Sequence, residues 1–301
     1  MSPVHPPRLR PGATIGVAAV SGPVDGARLF AGVSALERRG YRVVLASNVL
    51  ARTGFLAGSD RERADGYREL LRNPDVDAIF FARGGYGSVR ILPHLEPGEL
   101  LEHPRIHLGG SDLTALFAFA ARAGLVCFYG PMVATAIADE ESLDWEAVLS
   151  GQVPEAHRAS EADVLAGGSG QGPLVGGCLS LVASMAGTLD RIEGDGAVFF
   201  WEDAEEASFR VDRMLTQLER SGTFDRLQAM LIGSISPGAR GGESTETAAA
   251  WLAERFAGAP FPVVRGFPAG HLRGSRTLPL GVSVRVDADR GVVEFSGPGV
   301  A

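Results

Sequence analysis

Short apolar runs alternate with amphipathic segments over the first 130 residues. The amphipathic segments place apolar residues at helical spacing, as at Leu29, Val33 and Leu36, and the runs between them have the length of buried strands. Strands and helices that alternate in this way are typical of a parallel sheet covered on both faces. The predicted strands are residues 14–20, 41–45, 76–82, 105–108 and 125–129, and the predicted helices are residues 25–39, 60–72, 88–95 and 111–124.

The pattern changes between residues 138 and 172, where short polar and acidic pieces lead into a glycine-rich run at residues 167–172. We interpret this stretch as an interdomain linker with one helix at residues 143–149. A nucleotide-binding glycine loop is the alternative, but the GxGxxG register is missing and no clear strand precedes the run. The expected organisation is therefore a domain at 1–140, a linker at 141–172 and a second domain at 173–301.

The second domain also alternates between helical and strand patterns, and its end is richer in short strands and turns. The fold class is therefore α/β in both halves. Residues 176–187 are predicted to form a turn and a helix, and further helices are predicted at residues 205–220 and 246–256. The predicted strands are residues 196–201, 227–232, 262–264, 278–286 and 291–295.

Composition narrows the class of protein. The 301 residues are 45% hydrophobic and 21% charged, with a net charge of −8, which argues against nucleic acid or an anionic membrane as the main partner. The two cysteines, Cys127 and Cys178, lie in apolar surroundings and are expected to be buried and reduced. The zinc-binding patterns CxxC and HExxH are absent, as is an apolar run of the ~20 residues needed to span a membrane. We expect a soluble cytoplasmic protein without metal or cofactor.

Ser111 lies at a tight turn between a predicted strand and a predicted helix, after Gly109 and Gly110. This is the layout of a nucleophile elbow, in which the serine stands above the sheet edge beside the free N–H groups of a helix. The alternative is a helix N-cap, a position that serine favours. The G-x-S-x-G pattern is not met, because Leu113 stands in place of the last glycine.

A serine nucleophile needs a base, and the chain has six histidines. His107 lies within a strand, where a buried structural histidine is expected, and His271 lies on a loop beside Gly270, where functional residues are common. The remaining histidines are His5 and His157, in segments expected to be flexible, and His94 and His103, in a loop rich in proline and glutamate.

The candidate acid is Glu202, at the expected carboxyl end of the strand that contains Trp201. The alternative is that the acidic residues here favour the dipole of the following helix, which explains Asp203 and Glu205 better than it explains Glu202.

Five motifs occur in an order that resembles the LD-carboxypeptidase family of serine peptidases, the muramoyltetrapeptide carboxypeptidases. The resemblance spans roughly residues 11 to 290. It is specific because all five motifs occur in order and at suitable spacing. It implies a flavodoxin-like N-terminal domain with the nucleophile, a smaller swivelling α/β domain with the acid and base, and a homodimer. Trp201, where an aliphatic residue is more usual, and Cys178, where asparagine is common, depart from the pattern. The motifs are Arg83-Gly84-Gly85-Tyr86-Gly87, Gly110-Ser111-Asp112-Leu113-Thr114, Gly176-Gly177-Cys178-Leu179-Ser180-Leu181, Trp201-Glu202-Asp203 with Arg213 on the next helix, and Gly270-His271 followed by Leu278-Pro279-Leu280-Gly281.

The resemblance implies a triad of Ser111 as nucleophile, His271 as general base and Glu202 as the carboxylate that orients it. We expect the oxyanion to bind the backbone N–H of Asp112 and that of Gly85 or its neighbour in the glycine loop. Arg83, Gly84 and Tyr86 of that loop are predicted to contact substrate, and a plain turn is the alternative for the loop.

The resemblance also implies a peptidoglycan tetrapeptide as substrate, from which terminal D-alanine is released during murein recycling. Arg83, Arg273 and Arg276 are candidates for binding the free carboxylate, since guanidinium groups bind carboxylates through two hydrogen bonds. For each of the three, an ordinary surface or structural arginine is the favoured alternative, because most arginines are exposed.

Two other functions remain open. A microcin C self-immunity peptidase, which cleaves an aminoacyl-adenylate conjugate, belongs to the same family but carries a longer loop with a stacking aromatic, and residues 130–176 offer Trp145 alone. A non-enzymatic two-domain ligand-binding module would bind without turnover and would not need Ser111.

Overall fold

The computed structural model describes residues 3–141, 144–237 and 245–301, with side chains omitted for residues 237 and 245–249. The chain forms two compact units. The first comprises Met1–Gln152, Arg273–Gly281 and Pro298–Ala301, and the second comprises Val153–Leu272 and Val282–Gly297. These limits differ from the expected ones in two ways: the stretch at 141–172 is divided between the units after Gln152, and two later segments, Arg273–Gly281 and Pro298–Ala301, belong to the first unit.

The first unit is built on one sheet flanked by helices. Its strands are β1 (Thr14–Ala18), β2 (Arg42–Leu45), β3 (Ala78–Phe81), β4 (Ile106–Gly109), β5 (Cys127–Tyr129) and β12 (Leu278–Leu280), and its helices are α1 (Gly26–Arg38), α2 (Asp60–Arg72), α3 (Ser88–Ile91), α4 (Pro97–Glu102), α5 (Thr114–Ala123) and α6 (Trp145–Leu149). The strand order is β12-β5-β4-β3-β1-β2. The strands β1 to β5 run parallel in the flavodoxin-like order 2-1-3-4-5, and β12 pairs antiparallel with β5. The α/β prediction is confirmed.

Local sequence explains where these helices begin and end. Ser59 caps α2 in a capping box with Glu62, and Asp25 caps α1 by accepting the backbone N–H of Arg28. Helix α5 ends at Gly124, which adopts the left-handed conformation that glycine tolerates. Because β1, β3 and β4 are parallel, the loops that follow them lie at one edge of the sheet.

The second unit has a mixed sheet. Its strands are β6 (His157–Arg158), β7 (Val164–Ala166), β8 (Ser169–Cys178), β9 (Val198–Glu206), β10 (Ala229–Pro237), β11 (Val263–Val264), β13 (Ser283–Asp287) and β14 (Val292–Phe295), and its helices are α7 (Leu179–Met185), α8 (Ser208–Arg220) and α9 (Thr245–Phe256). The strand order is β6-β14-β13-β8-β9-β10-β11-β7. The strands β8 to β11 are parallel, and the outer pairs are antiparallel.

The glycine-rich run at residues 167–172 is not a linker over its full length, because β8 begins at Ser169. Its glycines allow close packing of backbone. A Cβ at Gly170 would lie 1.9 Å from the carbonyl oxygen of Gln228, and one at Gly172 would lie 2.1 Å from that of Gly196. Glycine within a strand marks such close approaches, which the turn-like composition of this run concealed.

Two further expectations about elements were wrong. The segment expected to be one strand at residues 278–286 is divided at Gly281, whose φ of 95° turns the chain between β12 and β13. The Pro/Glu-rich loop contains the helix α4, with Pro97 in its first turn, where proline is tolerated. In the part of the chain that the structure describes, no helix is both long enough and apolar enough to cross a membrane.

Candidate active site

Ser111 lies in the strained turn that follows β4. Its φ of 58° is in the left-handed region, which a residue with a side chain adopts at a cost. The Ser111 N–H donates to the hydroxyl of Tyr129 at 2.9 Å, and the Thr114 hydroxyl donates to the Ser111 carbonyl at 2.7 Å. These bonds hold the serine at the start of the helical turn that leads into α5, which is the geometry of a nucleophile elbow.

The glycine loop after β3 lies directly against this serine. A Cβ at Gly84 would lie 2.9 Å from the Ser111 Cβ, 3.0 Å from its Oγ and 3.5 Å from the backbone N of Asp112. Gly85 has a φ of 109°, and a Cβ there would lie 3.4 Å from Gly22. The structure therefore places Gly84 beside Ser111, with Gly85 facing the loop after β1.

The other predicted residues of this loop have separate environments. The Arg83 guanidinium donates to the carbonyl of Pro23 at 3.2 Å, so the loop after β1 already occupies one of its hydrogen bonds. The Tyr86 ring is 48% exposed, and its centroid lies 6.0 Å from that of Phe55, which is 63% exposed. Two neighbouring exposed rings form an apolar surface beside the loop, which is the kind of surface that binds ligands.

Glu202 and His271 form a carboxylate–imidazole pair in the second unit. One oxygen of Glu202, Oε2, accepts from the His271 Nδ1 at 2.7 Å and from the His271 backbone N–H at 3.0 Å. The Glu202 side chain is fully buried. Because a carboxylate only accepts hydrogen bonds, the ring proton of neutral His271 resides on Nδ1, and Nε2 keeps its lone pair. The hydrogen bond to Glu202 raises the pKa of His271, against the opposing effect of burial.

Gly270 explains why glycine precedes this histidine. Its φ is 114°, and a Cβ there would lie 2.6 Å from Glu202 Oε2 and 2.6 Å from Ser234 Oγ. Only glycine lets the backbone approach the carboxylate closely enough for the His271 N–H to donate to it. The Gly-His pair in the sequence was therefore a signal of this contact.

The sequence interpretation of the neighbouring acids needs correction. Strand β9 continues to Glu206, so Glu202 lies in its interior and not at its end. The Asp203 carboxylate accepts from the backbone N–H groups of Ser180 and Ala204, at 2.8 and 2.9 Å, and so faces the start of α7 and not that of α8. Burial raises the pKa of Asp203. The Glu202 carboxylate, unlike that of Asp203, bonds to His271.

The remaining histidine and cysteine predictions have mixed outcomes. His107 is a buried structural histidine, as expected: Tyr67 Oη lies 2.7 Å from its Nε2, and burial lowers its pKa to about 4. His157 is not in a flexible segment, because it lies in β6 and packs edge-on against Phe267 at 5.2 Å. Both cysteines are buried, as expected, and burial raises their thiol pKa values.

The sequence of each half of the chain matches one protein family. Residues 15–130 match the model of the LD-carboxypeptidase N-terminal domain, and residues 171–286 match that of the LD-carboxypeptidase C-terminal domain. A relative from Streptomyces coelicolor, named as a putative carboxypeptidase, is 38% identical over 304 residues, which cover 98% of this chain and 97% of the relative.

Two solved structures are similar to the whole chain. The muramoyltetrapeptide carboxypeptidase from Oxalobacter formigenes is 28% identical, with a TM-score of 0.82 over 94% of this chain and 98% of that one. The microcin C7 self-immunity protein MccF, in its wild-type apo state, is 25% identical, with a TM-score of 0.88 over 99% and 100% of the two chains. The chain therefore belongs to the LD-carboxypeptidase family, and it is a serine-type carboxypeptidase.

Proposed function

We propose that the protein hydrolyses the amide bond before the terminal D-alanine of peptidoglycan tetrapeptides, with Ser111, His271 and Glu202 as its triad. The observation that carries the proposal is the hydrogen bond of 2.7 Å between His271 Nδ1 and the buried Glu202 carboxylate. That bond leaves Nε2 as the basic atom of the ring. The strained elbow at Ser111 supplies a matching nucleophile in the first unit.

The reaction proceeds in two steps. His271 Nε2 takes the proton of the Ser111 hydroxyl as Oγ attacks the carbonyl, and the carbon becomes tetrahedral. His271 then gives this proton to the nitrogen of the departing D-alanine, and the C–N bond breaks to leave an acyl-serine. In the second step, water loses a proton to His271 and attacks the ester carbon. The bond from this carbon to Ser111 Oγ then breaks, His271 returns the proton to Oγ, and the shortened peptide leaves with a free carboxyl group. Glu202 stabilises the imidazolium form in both steps.

The negative oxygen of each tetrahedral intermediate needs donors. We assign this role to the backbone N–H groups of Asp112 and of the glycine loop, at Gly85 or Gly84. The closeness of Gly84 to Ser111 supports the assignment, since a Cβ there would lie 3.0 Å from Oγ. The loss of one such donor typically costs ~10²–10³ in rate.

The substrate class rests on the Oxalobacter formigenes neighbour, which is named for muramoyltetrapeptides. Arg83 and Tyr86 of the glycine loop are the residues that we propose to contact the peptide. We also propose the homodimer implied by the family resemblance, which sedimentation velocity tests directly.

Mass spectrometry of a muropeptide tetrapeptide tests the proposal. The wild type is expected to release D-alanine, and Ser111→Ala is expected to release none. Ser150→Ala is the matched control, because the Ser150 hydroxyl donates to a carbonyl near the end of α6. Turnover by Ser111→Ala at the wild-type rate would remove Ser111 as the nucleophile.

A microcin-type activity is the second candidate, favoured by the similarity to MccF over 99% of the chain. The aromatic residue that this activity needs is not supplied by Trp145. Its side chain is buried, with ring centroids 5.2 Å from Phe80 and 5.8 Å from Tyr41. Incubation with an aminoacyl sulfamoyl adenosine decides between the substrates. The non-enzymatic binding module is set aside by membership of a peptidase family.

A further inference from the structure

The peptide unit that joins Gly87 to Ser88 is held at both ends by buried charged side chains. Its carbonyl accepts from the guanidinium of Arg63 at 2.7 Å, and its N–H donates to the carboxylate of Asp112 at 2.7 Å. This peptide unit closes the glycine loop, in which Gly84 lies against Ser111. The two charges therefore fix the C-terminal end of the loop, three residues after the glycine that lies against the nucleophile.

The same two side chains also hold the loop after β1. Arg63 Nη1 donates to the carbonyl of Val20, and the Ser21 hydroxyl donates to Asp112 Oδ2 at 2.5 Å. The Gly22 N–H in turn donates to the Gly84 carbonyl at 3.2 Å. The loop after β1, the glycine loop and the elbow are thus joined through one guanidinium and one carboxylate.

Both charges are fully buried, which is costly unless each is well bonded. For Arg63, an ion pair with Asp60 offsets part of this cost, since Asp60 Oδ1 lies 2.5 Å from Arg63 Nη2. Asp112 has no ion pair within the described residues, and its Oδ1 is buried there without a hydrogen-bond partner. Stability alone does not favour a carboxylate at this position, because an unsatisfied buried oxygen costs ~1–3 kcal/mol.

We propose that Arg63 and Asp112 are positioning residues, which hold the glycine loop so that its backbone N–H groups face the oxyanion at Ser111. This inference rests on the proposed function, because it assigns the loop to the oxyanion. Asp112 then has two roles. Its backbone N–H binds the oxyanion, and its carboxylate orients the loop that supplies the second hydrogen-bond donor. Neither side chain takes part in proton transfer.

Asp112→Ala, Asp112→Asn and Asp144→Ala are the variants that test this assignment. Alanine removes the acceptor, whereas asparagine keeps one oxygen that can accept from Ser88 N–H without a charge. Asp144 is the matched control, since it is a half-buried carboxylate that accepts a backbone N–H at 2.8 Å, from Thr277, apart from the glycine loop. For each protein, kcat and KM on the tetrapeptide and amide hydrogen exchange of residues 84–88 are measured.

Asp112→Ala is expected to lower kcat by ~10², the scale of one lost oxyanion donor, with KM changed by less than about threefold. Exchange at Ser88 N–H is expected to become faster. Asp112→Asn is expected to restore kcat to within about tenfold of the wild type, because it retains the acceptor. In Asp144→Ala, the exchange of residues 84–88 and kcat are both expected to stay at wild-type values.

Faster exchange with an unchanged kcat would overturn the assignment, as would a fall in kcat that asparagine does not restore. Arg63→Lys gives a second route if the alanine variant does not fold. It keeps the charge but loses the forked contact, so kcat is expected to fall with faster exchange at residues 84–88. If the wild type does not cleave the tetrapeptide, the proposed substrate fails, and the rate of Ser111 labelling by a fluorophosphonate takes the place of kcat. A wild type that is neither active nor labelled would overturn both proposals.

Discussion

Replacing Glu202 by glutamine removes one negative charge and leaves the shape of the side chain almost unchanged. Oε2 accepts two hydrogen bonds from His271, one of them from its backbone N–H. That N–H directs the amide oxygen of the introduced glutamine toward the histidine, so the ring keeps its proton on Nδ1. What is lost is the stabilisation of imidazolium by a charged acceptor, ~1.5–3 kcal/mol for a hydrogen bond to a charged group, which corresponds to ~10–10² in kcat. A reversed amide would place the ring proton on Nε2 and cost ~10⁴.

The same change alters the pH dependence. The hydrogen bond to Glu202 raises the pKa of His271 above its usual 6.5, and only the neutral imidazole acts as a base. The acid limb of kcat/KM is therefore expected above pH 6.5 in the wild type and at lower pH in Glu202→Gln. The raised pKa also means that protonated His271 stabilises the fold. This contribution is fully present below the unfolded-state pKa of 6.5 and is lost as the pH rises through the folded-state pKa.

D-alanine release between about pH 5 and 9, on either side of the usual histidine pKa, measures the acid limb. NMR of the imidazole nitrogens measures the pKa of His271 without any substrate. Asp144→Asn is the control, because the Asp144 carboxylate bonds to the backbone N–H of Thr277 and not to the ring. A kcat of Glu202→Gln within about threefold of the wild type, with an unmoved acid limb, would refute the role of Glu202.

Three further substitutions follow from close contacts. Gly84→Ala places a Cβ 2.9 Å from that of Ser111, and kcat for D-alanine release is expected to fall by ~10² as the loop shifts from the oxyanion. Gly270→Ala brings a Cβ to 2.6 Å from Glu202 at a φ of 114°, and NMR is expected to find the pKa of His271 lowered as the ring moves away. Tyr67→Phe leaves a buried imidazole nitrogen without its partner at 2.7 Å, so urea unfolding is expected to give ~1–3 kcal/mol less stability, while kcat stays unchanged.

The N-terminal sheet and its elbow were predictable from sequence because their signals are local. Apolar runs such as residues 78–81 are buried on both faces of a parallel sheet, and the capping box of Ser59 and Glu62 begins α2 at Asp60, as predicted. The glycine-rich start of β8 was missed because its composition is that of a turn. The need for glycine there comes from the carbonyl groups of Gln228 and Gly196, which are distant in the chain.

The residues of the candidate site also differ in whether a local sequence signal marks them. Ser111 and His271 are candidates from sequence because glycines beside them mark turns. The structure shows a hydrogen bond between Glu202 and His271, two residues that the family resemblance had already paired. Arg63 could not be found, since an arginine in a charged amphipathic helix is expected on the surface. Arg63 is buried because its guanidinium donates to the carbonyl groups of Val20 and Gly87 in two separate loops, and those contacts exist only in the folded chain.

The order of strands in the first sheet bears on how the protein is made. Strand β5 ends at Tyr129, but β12, which covers its outer edge, begins only at Leu278. While the ribosome synthesises the intervening residues, the edge of β5 presents unpaired backbone groups to other nascent chains. The edge of β8 likewise stays unpaired until β13, at Ser283–Asp287, has been synthesised. Both units thus complete their sheets only after residues 278–287 have been synthesised, and a chain truncated after Leu272 would be left with two unpaired strand edges that can associate with other chains.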